Sequence, residues 1–168
     1  RTGRARLWVD RAFVARGAGL TVTGTLREGE LAVGDEVSLW PVGNRATVRS
    51  LQCYREAVER AAPVCRVAVG LARVSADTVG RGALLVKGGP TTTSRFLLVR
   101  ARFFERVPGK TVEMALHLGT AHGAAKVSVL AETPDVALCR LALAAELPVR
   151  ASDRFVLRTV GEERTLAA

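Results

Sequence analysis

The chain has 168 residues, 48% of them hydrophobic, which suits one large domain or two small ones and argues against disorder. Its net charge is +9, and 22 of its 25 basic residues are arginine, so a polyanionic partner such as RNA is plausible. No stretch of 18 apolar residues exists and no signal-peptide pattern opens the chain, so no membrane-spanning helix is expected. Arg1 is not an initiator, which reads as a fragment or a processed chain.

In chain order, 4–15, 20–27, 36–41, 45–53, 64–71 and 83–87 read as strands. They are rich in Val, Leu, Thr and Trp, and Gly, Pro or Asn separate them. The first two flank Gly17-Ala18-Gly19, and a third follows Val33-Gly34-Asp35, which describes a meander joined by glycine turns. One charged pair, Asp10-Arg11, interrupts the first apolar run. Ser75 is placed to cap a single helical turn over 75–79. Arg55 to Ala62 comes nearest to a helix and is short; sustained 3.6-residue periodicity is absent.

Gly88-Gly89-Pro90, before Thr91-Thr92-Thr93-Ser94, reads as a linker and places a domain boundary near residue 90. Residues 1–90 carry 14 basic and 8 acidic residues, net +6, against 11 and 8, net +3, for residues 91–168. Strands resume at 95–103, 111–118, 125–131, 136–143 and 154–159, with a last one near 163–167. Val107-Pro108-Gly109 and Thr133-Pro134-Asp135 mark turns. The fold class is all-β: two tandem antiparallel units, over 1–90 and 91–168.

Few motifs carry chemistry. Gly109-Lys110-Thr111 ends like a P-loop, but Phe104 stands where the first glycine belongs and a strand follows. Gly17-Ala18-Gly19 lacks the third glycine of a dinucleotide fingerprint. There is no nucleophile elbow and no cleft-forming pair of acids, so no catalytic role is expected within this chain. Cys53, Cys65 and Cys139 have no metal-ligand spacing, which points to buried thiols in a reducing compartment. His117 and His122 lack a nearby Cys or paired acid and are read as ordinary hydrogen-bonding residues, not as a metal site. Asp153-Arg154 reads as a turn-closing acid beside a surface arginine.

Asp10, Arg11 and Arg66 are the candidate binding residues. By alternation Arg66 shares a strand face with Val64 and Ala68, opposite Cys65, Val67 and Val69. Two guanidinium groups converging at a barrel rim would bind an anion through charge-assisted bonds worth about 1.5–3 kcal/mol each when shielded from water.

The pattern Phe13-x-x-x-Gly17-x-Gly19-x-x-Val22-x-Gly24, then Gly29-x-x-x-Val33-Gly34-Asp35, Val48-Arg49-Ser50-Leu51 and Arg81-Gly82 resembles domain II of translational GTPases of the elongation factor Tu class. Val9 to Leu20 is most similar to the selenocysteine-specific branch. Leu118-Gly119-Thr120-Ala121 and Asp153 to Arg158 resemble domain III of that branch. The resemblance implies two β-barrels that hold the aminoacyl end and the acceptor and T-arms of a tRNA. In elongation factor Tu a Glu-Asp pair stands where this chain has Asp10-Arg11, and an Asn where it has Arg66. Those positions line the amino-acid pocket, so the replacements turn it positive and suit an ionised selenol, while Asp10 is expected to hold Arg11. Glu59 and Arg60 stand where elongation factor Tu has an acid that touches the terminal nucleotide; that contact is not carried over.

The expected partners are then selenocysteyl-tRNA, the ribosome, a GTPase domain upstream and winged-helix domains downstream, with no membrane. A cytoplasmic monomer is expected, with no cofactor in this chain; GTP and magnesium belong to the GTPase domain. Two other readings stand beside this one: barrels that carry general aminoacyl- or initiator-tRNA, and an interaction module that relays a GTPase switch without binding RNA.

Overall fold

The structure is a computed structural model, and it describes residues 3–15, 19–75, 79–89, 91–104, 111–160 and 165–168. The expected turns at Gly17-Ala18 and Val107-Pro108-Gly109, the helical turn capped by Ser75, Pro90 and the Gly109-Lys110 pair lie outside the described residues, in whole or in part. The chain divides into two compact units, Arg1–Thr91 and Thr92–Ala168. No helix of the described residues is long and apolar enough to cross a membrane.

The first unit contains β1 (Arg6–Ala15), β2 (Gly19–Glu28), β3 (Leu31–Ala32), β4 (Glu36–Trp40), β5 (Asn44–Cys53), β6 (Glu56–Val58), β7 (Arg60–Ala61), β8 (Cys65–Ala72) and β9 (Leu84–Lys87). Six of them close an antiparallel barrel in the order β4-β9-β1-β2-β8-β5, with β5 pairing back to β4. The β6 strand extends β5 as a hairpin, and β3 with β7 forms a separate two-stranded ribbon. The segment read as nearest to a helix, Arg55 to Ala62, is therefore mostly β6 and β7. Its residues pair across strands, and no helical periodicity competes.

Alternation fills the core. Leu7 and Val9 of β1, Val22 and Leu26 of β2, Leu39 of β4 and Val67 and Val69 of β8 are all at or near zero exposure. Glycines of the recurring pattern answer local steric needs. A Cβ at Gly24 would lie 2.3 Å from the Trp8 carbonyl oxygen and 2.6 Å from the Leu7 side chain. Gly34 takes φ +90°, and the following Asp35 carboxylate accepts a 2.7 Å bond from the Ala32 backbone N–H.

The second unit contains β10 (Thr93–Ala101), β11 (Thr111–Leu118), β12 (Ala121–Glu132), β13 (Ala137–Pro148), β14 (Phe155–Thr159) and β15 (Thr165–Ala167). The sheet order is β10-β13-β12-β11-β14-β15. Closure comes from the segment after β10: Arg102 exchanges backbone bonds of 2.8 and 3.2 Å with Ala168, and the Phe104 N–H donates to Leu166. Met114, Leu116, Val127, Cys139, Leu141 and Leu157 fill this second core. Gly119-Thr120 is a two-residue hairpin turn with Gly119 at φ +60°, the first central position that such a turn reserves for glycine. Asp153 closes a turn as expected, its carboxylate accepting from the Arg150 N–H at 2.9 Å.

Candidate functional site

One irregularity in β1 builds the site. Val9 pairs with Gly24 and Arg11 with Thr23, so Asp10 is an extra residue with no partner opposite it on β2. This β-bulge switches the alternation. Before it, Leu7 and Val9 point into the core; after it, Ala12 packs against the core and Arg11 is exposed. Asp10 and Arg11, adjacent in sequence, thereby share the outer face, which a regular strand would forbid.

The neighbours follow from register. Thr23 faces Arg11 on one side and Ala68 on the other; Thr25 faces Trp8 and Arg66. The β1 and β8 strands flank β2, about 10 Å apart at ordinary strand spacing, a gap that arginine side chains can span. The Asp10 carboxylate is the hub. Its Oδ1 accepts from the Thr23 hydroxyl at 2.6 Å and from Arg66 Nη2 at 3.1 Å, while its Oδ2 accepts from Arg66 Nη1. Arg66 Nη2 also lies 3.5 Å from Thr23 Oγ1.

Arg66 is thus forked onto Asp10, a bidentate geometry that fixes the guanidinium plane. The pairing differs from the expectation that Asp10 holds Arg11: the bulge turns the carboxylate across β2 towards β8. Among the described residues Arg11 makes no hydrogen bond or ion pair, and it acts on Asp10 only through its charge. Burial pushes the Asp10 carboxyl upward, but the Thr23 hydroxyl, the Arg66 fork and the Arg11 charge together hold it below its ordinary range. Asp10 is therefore ionised at neutral pH, and the cluster of one acid and two arginines carries a net charge of +1. Thr23, which sequence reasoning did not single out, completes the cluster; only a register that includes the bulge brings it opposite Arg11.

Arg60 lies elsewhere, on β7 of the small ribbon, and Glu59 lies in the bend just before it. Arg60 pairs with Glu30 at 2.7 Å with both side chains well exposed, and the Glu59 carbonyl accepts from the Val33 N–H. The three cysteines depart in part from the buried expectation. Cys139 is buried, whereas Cys53 and Cys65 are half-buried and touch each other. His117 and His122 face each other across the β11–β12 hairpin with ring centroids 5.9 Å apart. Among the described residues no group of three potential metal ligands occurs. The second barrel bears an open cleft of about 510 Å³ between β10 and the 149–155 turn, with Phe96, Leu98, Arg100 and Arg150 in its lining.

The β-barrel domain of selenocysteine-specific elongation factors matches residues 109–168. The selenocysteine-specific elongation factors of Escherichia coli and Desulfomicrobium baculatum are each 31% identical to this chain over 96% of it. The chain belongs to the selenocysteine-specific elongation factor family. It spans 26% and 27% of the length of those two relatives, so it corresponds to a segment of such a factor. A crystal structure of a bacterial selenocysteine-specific elongation factor superposes with a TM-score of 0.80 at 29% identity, over 94% of this chain and 26% of that one. The apo translation elongation factor SelB of Methanococcus maripaludis shares the fold, with a TM-score of 0.84 at 21% identity over 98% of this chain and 40% of the other.

Proposed function

We propose that this segment binds the aminoacyl end and the acceptor and T-arms of selenocysteyl-tRNA within a GTP-dependent, cytoplasmic elongation factor that delivers it to the ribosome. Arg11 and Arg66 read the selenolate. The observation that carries this reading is the bulge at Asp10, which sets Arg11, Arg66, Asp10 and Thr23 on one face with a net charge of +1.

A selenol is largely ionised at neutral pH, while seryl and cysteinyl side chains are largely neutral. Arg11, which makes no hydrogen bond among the described residues, brings its donors to such an anion, and Arg66 is oriented by its fork on Asp10. A monoanion entering beside them neutralises the cluster. A neutral hydroxyl leaves it charged and desolvates the guanidinium groups without compensation. The chemistry proposed for the tRNA site is recognition only, and hydrolysis of GTP with its magnesium falls to a GTPase domain outside this segment.

The test is made on the full-length factor with Arg11→Ala and Arg66→Ala. Each removes a charge-assisted contact of about 1.5–3 kcal/mol, so affinity for selenocysteyl-tRNA drops about 10- to 100-fold. Affinity for seryl-tRNA on the same tRNA body changes little. Equal losses for both ligands would show that the arginines touch only the tRNA and do not sense the side chain.

A further inference from the structure

We propose that Cys53 and Cys65 form an oxidisable dithiol site that a peroxide converts to a disulfide between β5 and β8. The two sulfurs lie 3.5 Å apart, already in contact, on strands that are hydrogen-bonded neighbours. Cys53 ends β5 and is paired with Val67; Cys65 opens β8, two residues earlier on the same face. Both pack against the edge of the first core and both are half-buried, so a small oxidant reaches them while bulk solvent does not surround them. Cys139 provides the contrast: it lies at zero exposure in the other barrel.

The two thiols divide the work. Burial, then a hydrogen bond and the charge of Cys53, push Cys65 up to about 11, which suits Cys65 to be the thiol that keeps its proton. The Cys53 thiolate attacks one oxygen of hydrogen peroxide, breaks the O–O bond and becomes a sulfenic acid, with hydroxide leaving. Cys65 sulfur then attacks the Cys53 sulfur. The S–O bond breaks, the new S–S bond forms, and the Cys65 proton leaves with the hydroxyl as water. The thiols lose two electrons and peroxide gains them. The sulfurs close by about 1.5 Å to reach bonding distance. Cys65 directly precedes Arg66, so the link ties the strand carrying Arg66 to its neighbour. The site itself stands on the sulfur geometry alone and does not depend on what Arg66 binds.

The 168-residue chain is treated with graded hydrogen peroxide, blocked with a thiol alkylator under denaturing conditions, and mapped by mass spectrometry without reduction. The expected product is a monomer lighter by two hydrogens, with Cys53 and Cys65 joined and Cys139 alkylated, and a thiol reductant restores the starting mass. Cys53→Ala and Cys65→Ala each abolish the product. In Cys65→Ala, Cys53 stops at the sulfenic acid and is captured by a dimedone-type probe. Because an alanine variant could misfold, Cys53→Ser and Cys65→Ser are run alongside with circular dichroism, and the unmodified chain carries the primary readout. Sulfinic acid on either thiol without the link, disulfide-bonded dimers, or no reaction at peroxide levels that oxidise Met114 would each overturn the proposal.

Discussion

Replacing Asp10 with Asn tests the hub directly and needs only the present chain. The side chain keeps its size but loses its charge. The Thr23 hydroxyl still has the amide oxygen to donate to but loses the charge assistance, about 1 kcal/mol. Arg66 is 60% exposed at its side chain, so its pair is discounted to the surface range, about 0.2–1 kcal/mol. Together these give a loss of about 1.5 kcal/mol, or roughly 6–12 °C in Tm for a unit of this size. Both tryptophans, Trp8 and Trp40, lie in the first unit, so tryptophan fluorescence follows the unfolding of that barrel alone. The pH dependence fixes the sign. A carboxyl whose folded pKa lies below its ordinary value of 3.8 stabilises the fold above that value and loses the contribution as pH falls through the folded pKa. The gap between the parent chain and Asp10→Asn is therefore constant from pH 7 to about 5 and closes below about 3.8, where protonated Asp and Asn become equivalent. A gap that does not narrow as pH falls below 3.8, or no gap at pH 7, would remove the carboxylate from the centre of the cluster.

Two further outcomes concern the barrel that carries the site. Gly24→Ala forces a methyl against the Trp8 carbonyl oxygen, a backbone atom, and should cost about 1–3 kcal/mol, read as a lowered urea midpoint by tryptophan fluorescence. Asp35→Ala removes both the Ala32 N–H contact and the 2.7 Å pair with Lys87 Nζ; a loss of about 1–3 kcal/mol is expected in the same assay, and an unchanged midpoint would show that the Val-Gly-Asp corner holds without its carboxylate.

The long strands of the first barrel were legible because alternation in Leu7, Val9, Val67 and Val69 is an immediate consequence of one buried face. The short pieces were not. Strands of two or three residues, such as β3 and β7, are too brief to show a period, and they form only because the barrel brings their partners close. The Tyr54-Arg55 turn was equally silent: both residues take positive φ, 51° and 72°, without the Asn or Gly that normally marks such a hairpin. In the second barrel β12 begins at Ala121, earlier than the expected 125, since Ala121-His122-Gly123-Ala124 carries no strand-forming side chains and is recruited by the tight Gly119-Thr120 turn.

The site shows the same division more sharply. Charge in an apolar run singled out Asp10 and Arg11, and a strand interior singled out Arg66. Which arginine the acid engages depended on a single inserted residue, and no residue type announces a bulge of this kind.

That division separates what makes the fold from what, on the proposed reading, selects a ligand. The recurrent glycines and Asp35 serve turns, close approaches and a backbone contact; they would be needed whatever the barrel binds. The cluster on the outer face serves none of these ends, since Arg11 contributes no hydrogen bond among the described residues and Arg66 is mostly exposed. Two bare arginines there would repel each other and attract any phosphate. Asp10 reduces the charge from +2 to +1 and fixes one guanidinium, leaving a field that a single negative charge cancels. On the proposed reading, discrimination rests on that balance: a cluster short of one negative charge separates an ionised selenol from a neutral hydroxyl more cleanly than a more strongly positive surface, which would draw the tRNA backbone itself into the pocket.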